Sequence, residues 1–251
     1  MIKVKNLDKS FNNKLVLNDI NVSFETGKTN LIIGRSGSGK TVLLKSIAGL
    51  HEPDEGEVWF DDVLFNKLDF NAKKEIRKEM GMLFQGSALF DSLTVEQNVR
   101  FPLDMFTGKS LEEKNERVNF CLKRVNIINA NKLFPSELSG GMKKRVAIAR
   151  AIALNPKYLF CDEPNSGLDP VTAILIDELI KELTEEYSMT TIVNTHDMNS
   201  VIEIGENIVF INEGIICWEG NKDEILHSGC EILNDFVFAN AMAKHLLTPG
   251  R

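Results

Sequence analysis

The sequence predicts an α/β fold, and three stretches carry that expectation. The apolar run Leu31-Ile32-Ile33 breaks into Gly34-Arg35-Ser36-Gly37-Ser38-Gly39-Lys40-Thr41, which opens a helical pattern at Val42, Leu43, Leu44, Ile47 and Ala48. Tyr158-Leu159-Phe160-Cys161-Asp162-Glu163 is near-continuously apolar until it ends in two carboxylates. A strand buried on both faces reads this way, with its chemistry at the carboxyl end. Met189–Asn194 is a further buried strand, closed by Thr195-His196-Asp197.

Taken in order, residues 2–24 alternate in strand fashion (Ile2, Val4, Leu15-Val16-Leu17, Ile20, Val22, Phe24), with turns at Asn12-Asn13 and Thr26-Gly27. Beyond the glycine loop and its helix, Glu52–Gly56 is a turn and Glu57–Phe60 a strand. Residues 71–79 form a charged exposed helix, and Met82–Phe84 a short strand closed by Gln85-Gly86. A helical insertion spans 87–155. It begins at Ser92-Leu93-Thr94 with a capping pattern at Glu96, and continues through a loop holding Pro102 and Gly108. Ser110-x-x-Glu113 then caps an amphipathic run carrying Val118, Cys121, Leu122 and Val125. The next helix runs from about Lys143 to Leu154, with Lys143, Lys144 and Arg145 on its first exposed turn. Residues 171–186 are helical, and Asn212-Glu213-Gly214 turns a hairpin. Two domains are expected: 1–225, and a helical tail 226–251 whose stripe Ile232, Phe236, Ala239, Ala243, Leu246 packs on the parent domain or on a second subunit.

At 251 residues the chain can bury a sizeable core, and its net charge of −7 argues against a nucleic-acid partner. Its four cysteines lack metal-ligand spacing and are read as reduced. The first residues carry no apolar signal core, and no run reaches the roughly 18 apolar residues of a spanning helix. Any membrane role is therefore expected to run through a partner.

Gly34 to Thr41 fits G-x-x-x-x-G-K-[ST], the Walker A pattern, in its strand–loop–helix setting. Glycines let the backbone wrap a phosphate chain with N–H groups pointing inward, and the helix adds its positive end. Lys40 is expected on the β- and γ-phosphates and the Thr41 hydroxyl on Mg²⁺. The loop alone fits kinases, GTPases and many ATPases.

Later segments resemble the ATP-binding cassette (ABC) ATPases. They are Leu138-Ser139-Gly140-Gly141-Met142 at a helix start, the Walker B pair Asp162-Glu163, Ser166-Gly167-Leu168-Asp169, Gln85 closing a mid-chain strand, and His196 after the last core strand. The resemblance implies a P-loop core of the RecA-like type, an N-terminal antiparallel β subdomain and the inserted α-helical subdomain. It implies ATP held by Gly34, Arg35, Ser36, Gly37, Ser38, Gly39, Lys40, Thr41 and Val42, with Phe11 stacked on adenine. Mg²⁺ would be held by Thr41, Gln85 and, through water, Asp162. Glu163 would be the general base, His196 would contact the γ-phosphate, and Gln85 would complete the catalytic set. Ser139, Gly140 and Gly141 would cap the ATP of a second copy in a head-to-tail dimer, with Asp169 coupling the two sites.

Within that family, Leu138–Met142, Thr29–Gly34 and Met82–Ser92 resemble the Mla-type ATPases, which energise phospholipid traffic across the bacterial envelope. The implied partners are a polytopic permease and an MCE-domain substrate-binding protein, and the implied place is the cytoplasmic face of the inner membrane. Met142 and Asn165 depart from commoner residues without removing a catalytic group. Ser87, Leu89, Phe90, Leu93, Phe101, Leu103, Met105 and Phe106 either form a groove for a permease helix or fill the core of the insertion.

Overall fold

The computed structural model describes residues 1–238 and divides into two compact units. The first comprises residues 1–25, 29–67 and those from 194 onward; the second comprises 26–28 and 68–193.

In the first unit, β1 (Ile2–Phe11) and β2 (Lys14–Phe24) form a hairpin. Its turn residues Asn12 and Asn13 sit at φ 49° and 62°, the paired left-handed conformation that asparagine tolerates and that matches strand twist. With β4 (Glu55–Phe60) and β5 (Val63–Leu64) these make an antiparallel sheet ordered β2-β1-β4-β5. Ile2 and Val4, Ile20, Val22 and Phe24, and Val58 and Phe60 are buried from alternating positions, the period of a half-covered sheet. β3 (Thr29–Ile33), buried at every residue, runs parallel to β9 (Asn207–Asn212), with Leu31 opposite Ile208 and Ile33 opposite Phe210. β10 (Ile215–Gly220) returns antiparallel to β9 around Glu213 and Gly214. α1 (Lys40–Ile47) leaves the glycine loop. The short strand β5 and the seven-residue α7 (Met198–Ile204) have no strong sequence signal and were not foreseen.

The second unit holds β6 (Met80–Leu83), parallel to β7 (Tyr158–Asp162), and the first four residues of β8 (Thr190–Thr195). α2 (Phe70–Lys78) is solvated, as its charge predicts. α3 (Val95–Phe106), α4 (Leu111–Arg124) and α5 (Gly140–Ala151) pack together. They bury Val95, Val99, Leu103, Val118, Cys121, Leu122, Val146 and Ala149. Each larger aliphatic removed from water this way is worth about 1.5–3 kcal/mol before the entropy of ordering is counted. α6 (Pro170–Glu186) follows β7.

Three local expectations are corrected. Pro102 lies inside α3, not in a loop, because Val95, Val99 and Leu103 bury one helical face and that packing outweighs proline's preference. The cap of α3 is Thr94, in a reciprocal box with Gln97 and not Glu96. α5 starts three residues earlier than its apolar pattern suggested, since Ser139 accepts from Met142 N and fixes the start at Gly140.

In α8 (Glu231–Phe238) the buried residues are Leu233 and Val237, Phe236 meets Phe210 at 5.5 Å between ring centroids, and Ile232 is exposed. The stripe's other members, Ala239, Ala243 and Leu246, lie outside the described residues.

Candidate phosphate site and hydrolytic residues

The glycine loop between β3 and α1 is shaped by backbone that only glycine supplies. Gly34 sits at φ 153°, and a Cβ there would stand 2.2 Å from the Ile211 carbonyl oxygen and 2.7 Å from Ser38 Oγ. Lys40 is 5% exposed, and its Nζ donates to the carbonyls of Gly34 and Arg35, each at 3.0 Å. The ammonium is thereby folded over the loop it would serve.

Two features fit a bound phosphate chain. Ser38 Oγ is buried and meets no hydrogen-bond partner among the described residues. α1 is capped by Gly39, which brings no side-chain acceptor, whereas α2 to α7 are capped by Asp69, Thr94, Ser110, Ser139, Asp169 and Asp197. A helix N-terminus without a side-chain cap, in a loop of glycines, suits an anion.

In the same unit, Thr41 Oγ1 accepts from Asn194 Nδ2 at 3.0 Å, a partner that sequence reading missed. His196 is exposed after β8, next to Asp197, the cap of α7. Phe11 ends β1 with 39% of its surface exposed. It meets His51 edge-on at 5.3 Å, and the Lys9 ammonium stands 5.3 Å from its ring centroid. Burial, with Lys45 and Lys9 nearby, holds the His51 imidazole below its usual pKa.

The second unit brings two predicted residues together directly. Gln85 Nε2, just past β6, donates to Glu163 Oε2 at 3.1 Å. Glu163 follows the buried Asp162 and holds φ 46°, a left-handed conformation costing about 1–2 kcal/mol for a residue with a Cβ. Lys144 is buried, not on an exposed turn as its charge suggested. Its Nζ donates to the Gln85 carbonyl and, at 3.5 Å, to the Glu163 carbonyl. Burial lowers its pKa against the opposing carboxylates of Asp162 and Glu163.

Ser139 and Gly140 are exposed at the start of α5. Ser139 Oγ accepts from its own helix, which leaves the hydroxyl proton available to a further acceptor. A Cβ at Gly141 would stand 2.7 Å from Thr172 Cγ2. Asp169 caps α6, accepting from Thr172 Oγ1 at 2.5 Å and Thr172 N at 3.0 Å, and those bonds lower its pKa.

A groove of about 480 Å³ opens beside β6, with Phe84, Phe90, Phe101, Pro102, Phe106 and Arg150 in its wall. The apolar set of residues 87–106 divides. Phe90, Phe101, Met105 and Phe106 are exposed, whereas Ser87 and Leu103 are buried. Arg150 donates to the carbonyls of Ser87 and Ala88, both at 2.7 Å. Asn98 is fully buried; it accepts from Phe90 N and donates to the carbonyls of Phe90, Leu93 and Thr94. No helix among the described residues is long and apolar enough to cross a membrane.

Such a fold and such a loop define a nucleoside triphosphatase of the phosphate-loop class. The family model for ABC transporters matches residues 17–166. Among curated relatives, the methionine import ATP-binding protein MetN of Campylobacter jejuni is 39% identical over 241 residues, covering 90% of this chain and 72% of that one. The intermembrane phospholipid transport system ATP-binding protein MlaF of Haemophilus influenzae is 39% identical over 228 residues, covering 91% and 86%. Among solved structures, the dimeric ABC transporter cassette MJ0796 aligns with a TM-score of 0.82 at 36% identity, covering 88% of this chain and 99% of that one. The chain belongs to the ABC transporter family, as an ATP-binding subunit that is an ATPase.

Proposed function

We propose that this ATPase works as a head-to-tail pair and powers phospholipid movement through a separate polytopic permease at the cytoplasmic face of a bacterial inner membrane. An MCE-domain protein would handle the lipid. The observation that carries hydrolysis is the Gln85–Glu163 hydrogen bond, which joins an amide and a carboxylate at the ends of adjacent parallel strands. Glu163 takes the proton of the attacking water, and His196 contacts the γ-phosphate. Lys40 and the N–H groups of Gly34 to Val42 hold the triphosphate, and Phe11 stacks on adenine.

Thr41, Gln85 and, through water, Asp162 would hold Mg²⁺, which would supply positive charge against the triphosphate. The donor chemistry fits. One hydroxyl, one amide and one carboxylate are hard oxygen groups, too few to cage an ion, and Mg²⁺ keeps waters and takes substrate phosphates. Among the described residues no cluster of three metal-ligating His, Cys, Asp or Glu competes with them. Ser139, Gly140 and Gly141 cap the γ-phosphate of the twin's ATP, and Asp169 couples the two sites. The cassette MJ0796, solved as a dimer, supports that pairing.

The aromatic groove with Arg77 and Arg150 in its wall receives a cytoplasmic helix of the permease. Phospholipid cargo rests on the likeness to MlaF. A second reading, methionine import, is favoured by relatives of equal identity.

The test is Glu163→Gln on the full chain with Mg-ATP. Turnover should fall at least about 10²-fold while ATP binding persists and a closed dimer accumulates, read by size exclusion with light scattering. Turnover like that of wild type would overturn Glu163 as base, and a strictly monomeric variant would overturn the pairing. Mass spectrometry of lipids in the detergent-purified complex separates phospholipid from methionine cargo.

A further inference from the structure

Lys144 is a buried cation to which the proposed mechanism gives no task. It lies on α5, is 4% exposed, and its only hydrogen bonds among the described residues run to two backbone carbonyls, those of Gln85 and Glu163. A buried ammonium loses its hydration, so a residue kept there for packing alone would be served better by an apolar side chain of similar length.

The two carbonyls are not arbitrary. They belong to the residues that follow β6 and β7, strands that run parallel with Leu83 opposite Cys161. The side chains of those same residues meet at 3.1 Å. Lys144, Gln85 and Glu163 therefore close a ring of hydrogen bonds: ammonium to one carbonyl, along Gln85 to its amide, across to the Glu163 carboxylate, and back to the second carbonyl. One member of the ring, Glu163, stands at φ 46°, a conformation that persists only where neighbours over-determine it. Two further carbonyls of the loop after β6, of Ser87 and Ala88, are held by Arg150 from the same helix, at residues with φ 64° and 47°.

We propose that Lys144 is a positioning residue for hydrolysis: by binding the carbonyls of Gln85 and Glu163 it fixes where the amide and carboxylate of that pair stand. This rests on the reading of Gln85 and Glu163 as the hydrolytic residues. Among the described residues the hydrogen bonds of Lys144 run to the Gln85 and Glu163 carbonyls, so its loss acts on the chemical step and spares nucleotide binding.

The experiment compares Lys144→Met and Lys144→Gln with wild type in the full chain, reading steady-state kcat and KM for Mg-ATP, binding of a fluorescent ATP analogue, and thermal midpoints. Methionine matches the aliphatic stem but donates no hydrogen bond; glutamine keeps two donors on a shorter reach. Loss of positioning predicts a kcat fall of about 10- to 100-fold for methionine, a smaller fall for glutamine, and KM and analogue affinity within about twofold of wild type. A packing role predicts the opposite order, with methionine the better variant and the loss following the thermal midpoint. That order, or methionine turnover within about twofold of wild type, overturns the inference. If the methionine variant does not fold, glutamine decides alone: reduced kcat at unchanged affinity supports positioning, and wild-type kcat overturns it. Glu163→Gln in parallel separates the premises, because wild-type turnover there overturns the hydrolytic reading itself, whatever Lys144 does.

Discussion

Replacing Gly34 by alanine puts a methyl group where the chain has no room for one. The new Cβ would lie 2.2 Å from the Ile211 carbonyl oxygen, where real contacts of this kind essentially never fall below 3.0 Å. The obstacle is backbone in β9, and β9 is paired to β3, with Ile33 opposite Phe210. Relief must therefore loosen that ladder or displace the loop. Overpacking of this kind costs about 1–3 kcal/mol, and holding a residue with a Cβ at φ 153° adds about 1–3 kcal/mol. Gly37 supplies the internal control. It has φ 81° but nothing within 4 Å of an added Cβ, so Gly37→Ala bears backbone strain alone, about 1–2 kcal/mol. Thermal unfolding should therefore lower the midpoint by roughly 4–24 °C for Gly34→Ala and by roughly 2–8 °C for Gly37→Ala, at about 2–4 °C per kcal/mol for a chain of this size. Equal losses, or a more stable Gly34→Ala, would refute the claim that close backbone approach constrains Gly34.

Two further outcomes follow from side chains. Asn98→Ala removes four hydrogen bonds from a fully buried amide, taking the side-chain acceptor from Phe90 N and leaving the Phe90 and Thr94 carbonyls with their backbone donors; a loss of about 2–4 kcal/mol is expected in denaturant titration, with faster amide exchange across residues 90–94. Asp54 accepts from Lys9 Nζ and Ser10 N, both at 2.6 Å, which lower its pKa. Its stabilising share is present above the unfolded carboxylate value and lost as pH falls through the lower folded one. Asp54→Asn should therefore flatten the stability–pH curve below about pH 4 and leave its shape at pH 7–8 unchanged; an unaltered acid limb in chemical unfolding would sink that assignment.

Much of the local order could be read in advance because it is encoded at short range. The Asn12-Asn13 and Glu213-Gly214 turns, the Ser110–Glu113 box and the apolar runs of β3, β7 and β8 each have their cause within a few residues. The phosphate loop belongs with them, since its glycines, Lys40 and Thr41 are contiguous and their spacing is itself the signal. Pro102 shows the limit: the local rule for proline gave way to the face that α3 buries.

Side-chain meetings across long sequence gaps were decided by the tertiary structure alone. Lys144 read as one of three exposed cations on a helix surface, because nothing in its neighbourhood along the chain announces that α5 turns that position onto the ends of β6 and β7. Asn194 read as the end of a strand until folding set it against Thr41, and only folding shows that Asn98 meets Phe90. Sequence fixes which groups a segment carries and how the segment repeats. Which carbonyl meets which ammonium depends on where distant segments pack, and that is settled by the burial of surfaces no single segment contains.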